Sequence, residues 1–291
     1  MQFETLFVGA GMRVERSPVD AAASAGVQVC IGSGRGASLQ CTPALPGVWV
    51  ALHGNLQLAI ADGNLAVAPR ELVVTEEGVR VQARARGPAA WIAVFATRAT
   101  WRQLLAPVAG EAAATLVPAT HAASPGLRRI MLAMARAARA QSRSTATPST
   151  DLLLDFAQAL ADVQTAFDAM IARCPGRSLA QRRAVFARLQ RVRRYMHANS
   201  HLDLDTVALA KRANYSLSHF IRSYRRVFDE TPHAALVASR LERAHAMLGN
   251  SALAVGEVAL ASGFENRCAF SRVFKRHFGV TAQDVRRAVA A

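Results

Sequence analysis

Lysine is almost missing from this chain: of its 35 basic residues only Lys211 and Lys275 are lysines. Acids are scarce too, 20 against those 35, which leaves a formal charge of +15. Cysteine is limited to Cys30, Cys41, Cys174 and Cys268, and their spacing fits neither a zinc pattern nor the disulfide framework of a small secreted domain. A reducing cytoplasm is the expected setting. The longest apolar run, "PAAWIAVFAT", falls far short of the roughly 20 residues that a membrane helix needs. The opening "MQFETLFVGAGMRVE" carries acids and lacks the apolar core of a secretory signal. Before residue 110 the only histidine is His53, too few ligands for metal-dependent chemistry on strands. The loop "GSGRGAS" (32–38) lacks the Lys-Ser/Thr of a phosphate loop and does not match a dinucleotide fingerprint. No catalytic residue, metal or cofactor is therefore assigned, and an enzyme is not expected.

The basic excess is concentrated. Residues 176–291 hold 20 Lys+Arg against 8 Asp+Glu, net +12, whereas residues 1–175 are net +3. Such an asymmetry points to a polyanion partner for the C-terminal side.

The first hundred residues read as short strands. "GVWVAL", "LQLAI", "LAV", "ELVV" and "AAWIAVFA" are separated by the turn signals "HGN", "ADGN", "APR" and "TEEG". In "VRVQARAR" the residues Val79, Val81, Ala83 and Ala85 alternate with polar neighbours, the period of a strand with one dry face. A small β-barrel or sandwich is expected. From Trp101 onward the composition turns helical, interrupted by the polar loop "QSRSTATPST". Beyond it, Leu153, Phe156, Leu160, Val163, Phe167 and Met170 recur at spacings 3, 4, 3, 4, 3. That seam serves either self-association or packing within its own domain; the expectation taken forward is a homodimer. The fold class is α+β, divided as 1–110 (β-rich), 111–180 (helical linker and dimerisation) and 181–291 (all-α).

The C-terminal part contains a repeat. At an offset of 49, Leu209, Ala210, Asn214 and Tyr215 match Val258, Ala259, Gly263 and Phe264. At an offset of 50, Phe220, Arg222, Tyr224, Arg225, Arg226, Phe228 and Thr231 match Phe270, Arg272, Phe274, Lys275, Arg276, Phe278 and Thr281. Each unit reads as helix, tight turn, helix. Asp205 caps the first helix, Ser216 and Asn266 cap the second helices, and Asn214 and Gly263 take the left-handed turn position. Between the units, Thr231 caps and Pro232 begins a linking helix that Gly249 ends. Phe220, Tyr224 and Val227 form a buried stripe, as do Phe270, Phe274 and Phe278. The opposite faces carry Ser218, Ile221, Arg222 and Arg225, and Arg267, Cys268, Arg272 and Lys275. A face of this kind suits a DNA major groove, and two such readers held by one helix want adjacent grooves about 34 Å apart.

These residues resemble the AraC/XylS family of bacterial transcription regulators over 204–287, on "RLERAHAML" and "VGEVALASGFENRCAFSRVFKRHFGV". The resemblance implies a seven-helix DNA-binding domain. It assigns base reading to Ser218, Ile221 and Arg222 in the first reader and to Arg267, Cys268 and Arg272 in the second. Arg225, Arg226, Lys275 and Arg276 are left for phosphate. This chain departs from the family at Asn214 in place of a turn glycine, at Ala254 where a capping residue is common, and at Ala282 where proline is usual. The family often adds an N-terminal cupin-like effector domain with dimerising helices, so a small-molecule effector, a homodimer and RNA polymerase join double-stranded DNA as implied partners. Arg70 in "APRELVV" stands where a cupin turn has glycine. An architectural DNA protein without effector control is the alternative, and paired base-reading helices argue against it.

Overall fold

The computed structural model describes residues 2–16, 26–42, 44–60, 63–111, 113–141 and 150–290. Most of the loop expected at 141–150 and the first half of the "ADGN" turn lie outside them. The chain divides into two compact units, Met1–Ala187 and Arg188–Ala291.

The first unit is built on one mixed sheet. Its strands are β1 (Gln2–Val8), β2 (Arg13–Arg16), β3 (Gly26–Ser33), β4 (Ser38–Cys41), β5 (Gly47–Ile60), β6 (Gly63–Val67), β7 (Glu71–Thr75), β8 (Val81–Phe95) and β9 (Thr120–Ala122). The hydrogen-bonded order is β1-β3-β8-β5-β7-β9, with β4 also on β8, β2 on β4 and β6 on β5. The pairs β1–β3 and β2–β4 are parallel; the other pairs are antiparallel.

β5 and β8 are long because each runs on through a left-handed glycine, which in β5 is the glycine that sequence reading takes for a turn. "HGN" is not a hairpin: β5 continues through it with register irregularities at His53. Gly54 sits at φ 64°, and a Cβ there would lie 2.5 Å from the Pro88 carbonyl oxygen. A left-handed glycine inside a paired strand bends it and leaves the ladder running. β8 likewise passes through Gly87, at φ 81°.

The centre of the sheet is apolar on both faces, which explains why "GVWVAL" and "WIAVF" read as continuous runs. Val48, Val50, Ile92 and Val94 face one core, which three helices complete: α1 (Arg98–Ala109), α2 (Pro125–Gln141) and α3 (Thr150–Gln164). Trp49, Ala51, Trp91 and Ala93 face a second core, shared with Leu39, Leu56, Leu58 and Val81. The sheet curls around that second core without closing: among the described residues no pairing joins β1 to β9. The expected barrel is thus an open sheet whose path ends on β1 and on β9, the latter only three residues long.

α3 buries half of the apolar seam in its own domain. Leu153, Phe156 and Leu160 lie inside the first core, Phe156 and Leu160 fully buried, and Trp101 of α1 packs on Phe156 with ring centroids 6.2 Å apart. Val163 packs at the core's margin. Phe167 lies in a 3-10 turn (Thr165–Phe167) and Met170 in α4 (Asp168–Arg173), so the seam is not one straight stripe. Leu153, Phe156 and Leu160 thus pack inside their own domain, with Val163 at its margin.

α5 (Leu179–Ala198) begins in the first unit and ends in the second. The second unit continues with α6 (Thr206–Arg212), α7 (Leu217–Phe228), α8 (Pro232–Asn250), α9 (Val255–Ala261), α10 (Arg267–Phe278) and α11 (Ala282–Ala290). Gly249 lies within α8 rather than ending it. In this unit Leu241, Ala244 and Leu248 of α8 pack with Val258, Ala259, Phe270 and Phe274.

Candidate nucleic-acid interface

Each helix-turn-helix is set by local chemistry that the sequence spells out. Asp205 accepts from the Val207 and Ala208 amides at 3.1 and 3.3 Å. Ser216 accepts from His219 N, and Asn266 from Cys268 N and Ala269 N. Thr231 accepts from Ala234 N ahead of Pro232, which takes the first helical position. The turns carry positive φ at Asn214 (54°) and Gly263 (89°). The repeat extends one step further than its sequence matches. α7 ends on Asp229 and α10 on Gly279, both left-handed, at φ 58° and 75°.

The two departures at helix starts are compensated. Glu257 accepts from Ala254 N at 2.7 Å. At α11, Asp284 accepts from the Thr281 amide at 3.1 Å while Thr281 Oγ1 accepts from Asp284 N at 3.2 Å. Both are the carboxylate-at-N3 arrangement of a capping box, complete at Thr281 and half present at Ala254, which has no side-chain acceptor. The hydrogen bonds from Thr281 hold the Asp284 carboxyl below its ordinary range.

Behind each reader helix stands a stack of rings. Phe220, Tyr224 and Phe228 succeed one another at centroid distances of 5.6 and 4.7 Å, and Phe270, Phe274 and Phe278 at 5.3 and 4.7 Å. Phe220, Tyr224, Phe270 and Phe274 are fully buried. They are core rather than platforms for stacked bases.

The outward faces carry the predicted site. Ser218, Arg222, Arg225 and Arg226 on α7 are exposed, and Ile221 is half-buried among them. Arg267, Cys268, Arg272, Lys275 and Arg276 on α10 are all exposed. Arg267 is braced: a Cβ on Gly256 of α9 would lie 3.7 Å from its Cδ, so its stem crosses the start of that helix.

Two sets of cations stand out in this unit. One set is engaged internally. Arg193 bonds Glu230 at 2.8 Å and lies 4.6 Å from the Phe228 ring. Arg188 and Arg212 lie over the Tyr215 and Tyr195 rings at 5.3 and 4.0 Å. Arg240 donates to the Ser200 and Leu202 carbonyls, Arg243 to that of Ala261, and Arg286 to those of Ser251 and Leu253. Sequence reasoning missed this bracing role, since the partners lie up to 40 residues away. The other set is Arg222, Arg225, Arg226, Arg267, Arg272, Lys275 and Arg276; among the described residues none of these makes a hydrogen bond or ion pair. Free cations with exposed polar neighbours can neutralise phosphates, and a guanidinium fork can address guanine O6 and N7.

The remaining sequence candidates lie elsewhere. Cys174 is buried. Burial pushes the thiols of Cys30 and Cys41 up, to about 12 and about 11. Among the described residues no cluster of three His, Cys, Asp or Glu could hold a metal ion, and no helix is long and apolar enough to cross a membrane.

A family model described as a helix-turn-helix domain matches residues 209–288. The Msm operon regulatory protein of Streptococcus mutans is 25% identical over 103 residues, 35% of this chain and 37% of that protein. The HTH-type transcriptional regulator CdhR of Pseudomonas aeruginosa is 32% identical over 146 residues, 46% of this chain and 44% of that protein. Among solved structures, the DNA-binding domain of AdpA in complex with a target DNA is 30% identical, covering 34% of this chain and 90% of that one, at a TM-score of 0.33. The matches span less than half the length of these curated relatives.

Proposed function

We propose, from the premise that the C-terminal domain is an AraC/XylS-type helix-turn-helix domain, that this chain is a sequence-specific DNA-binding transcription regulator. The observation that carries the reading is the placement of the cations: Arg222, Arg225 and Arg226 on one reader helix and Arg272, Lys275 and Arg276 on the other are exposed, make no hydrogen bond or ion pair among the described residues, and occupy repeat-related positions, with Arg267 added on the second. Ser218, Ile221 and Arg222 read bases in one major groove, and Arg267, Cys268 and Arg272 in the next. Arg225, Arg226, Lys275 and Arg276 hold phosphates. Residues 181–291 form the reading domain, 1–110 a cupin-like effector domain and 111–180 the helical connection. The bent sheet around Trp49 and Trp91 supports the cupin-like reading.

The test is a randomised-site selection with the full chain, followed by salt titrations. The selected site should be bound at least about a thousandfold more tightly than random DNA at one salt concentration. Arg272→Ala should cost about 1–3 kcal/mol and relax preference at one base position. Arg276→Ala should weaken all sequences alike and lower the salt slope by about one. Equal affinity for selected and random DNA would replace this reading with that of an architectural protein.

A further inference from the structure

The first unit holds a cavity that the DNA-binding face does not explain. It lies between α1, α3, α4 and the start of α5, with a volume of about 250 Å³. That is just under the roughly 300–1,000 Å³ of sites for drug-sized ligands, so an occupant would be no larger than an amino acid. One wall is apolar, with Leu105, Val108 and Ala161. The rest is polar, and its charged members are Arg183 on one element and Asp162 and Asp168 on others.

Arg183 is only 8% exposed. Its Nη1 donates to the Ala113 and Thr115 carbonyls and to Thr115 Oγ1, which fixes the guanidinium. Its Nε is buried and has no partner. An arginine has five donors, and the Nε–Nη2 edge is the one that fits a carboxylate with two parallel hydrogen bonds. A guanidinium taken out of water with its Nε unmet is costly, and an anion is what would meet it. Burial pulls the Arg183 pKa down and the charge of Asp168 opposes that pull, yet no hydrogen bond or ion pair joins the two side chains. Asp162 has one oxygen held by Gln158 Nε2 at 2.8 Å. A plain anion would therefore meet two acids beside its cation.

We propose that this cavity binds a compact zwitterion, its carboxylate on the Nε–Nη2 edge of Arg183 and its ammonium group on Asp168 and Asp162. The inference rests on the regulator reading, for which it names the effector class. It also gives the effector a lever. Arg183 sits on α5, and that single helix runs on through Arg188, where the DNA-binding unit begins.

The experiment is calorimetric titration of the full chain, without DNA, using glycine, β-alanine and γ-aminobutyrate, with butyrate and butylamine as singly charged controls. At least one amino acid should saturate with a Kd below about 1 mM, and butyrate and butylamine should bind about tenfold more weakly or worse. Arg183→Gln should abolish binding. Asp168→Asn, a change at an exposed residue, should weaken the amino acid about tenfold and leave butyrate unchanged or tighter. Failure of every amino acid to saturate by about 10 mM, butyrate binding as well as the amino acids, or an amino-acid preference that survives both Asp168→Asn and Asp162→Asn would each overturn the proposal. DNA affinity is measured separately on the selected site. Saturable amino-acid binding that leaves that affinity unmoved supports the site and refutes effector control; loss of site preference with binding intact refutes the regulator reading alone.

Discussion

Replacing Gly263 by alanine should unfold the second unit selectively, and the cost can be assembled from the structure. At φ 89° an alanine meets the left-handed penalty of roughly 1–2 kcal/mol. Its Cβ would lie 2.8 Å from the Ser200 carbonyl oxygen, 2.9 Å from Arg240 Nε and 3.1 Å from His201 Cα. The first and last are backbone and cannot swing aside. The atoms that must move include both ends of the 2.8 Å bond from Arg240 Nε to Ser200 O, and a hydrogen bond with a charged donor is worth about 1.5–3 kcal/mol. Together these come to about 3–5 kcal/mol, a large share of a domain's ordinary stability. The related turn residue, Asn214, lies at φ 54°, and Asn214→Gly should change stability by less than about 1 kcal/mol. Gly263→Asn separates the causes, since asparagine tolerates the dihedral but brings the same Cβ; it should still lose about 2 kcal/mol or more. The assay is urea unfolding followed in parallel by tryptophan fluorescence and far-ultraviolet circular dichroism. Trp49, Trp91 and Trp101 all lie in the first unit, whereas the second is helical. The dichroism transition should move to lower urea while the fluorescence transition stays in place. A Gly263→Asn protein that unfolds with the wild type would refute the close-approach argument.

Three other outcomes are expected. Leu160→Asp puts a carboxylate into the first core, so it should collapse the fluorescence transition by about 3–5 kcal/mol; sedimentation showing a folded monomer made from a dimer would restore the seam as an interface. Burial lowers the pKa of His121 to about 4, so its neutral form stabilises the first unit fully above about pH 6.5, and that contribution, of order 3 kcal/mol, is lost as pH falls toward 4. Fluorescence-monitored unfolding at pH 7 and pH 4.5 should differ less in His121→Gln than in the wild type; equal differences would remove His121 from the account. Tyr224 buries a hydroxyl that has no hydrogen-bond partner, and the repeat places Phe274 at the matching position. Tyr224→Phe should therefore be neutral or stabilising by about 1 kcal/mol in the dichroism transition, and a loss of 1 kcal/mol or more would reveal a partner for that oxygen.

What could be read from sequence was what local chemistry decides. The caps Asp205, Ser216, Thr231 and Asn266, the turn positions Asn214 and Gly263, and the buried ring stripes each depend on residues within about two helical turns. The misreadings share the opposite property. "HGN" looks the same as a hairpin turn or as a bulge, and only the continuous partner β8 decides between them. The spacing from Leu153 to Met170 records an apolar face but not what covers it, which is a core assembled from strands more than fifty residues away. Closure of the sheet is a property of its two edges, and no single strand encodes it. The cavity charges were invisible for the same reason: Arg183 is fixed by Thr115, 68 residues earlier. Ala254 and Ala282 looked like weak helix starts, yet Glu257 and Asp284 were already in the sequence at the compensating position.

The two reader helices share a scaffold but not a surface: Leu217, Ser218 and Ile221 stand where the second copy has Arg267, Cys268 and Ser271. A protein that reads DNA with two identical faces related by a twofold axis needs a palindrome and cannot tell one direction along the duplex from the other. A single chain with two unlike readers in fixed order has no such symmetry. Its site would have a head and a tail, and reversing that site would turn the bound protein around, presenting a different side of it to whatever lies upstream.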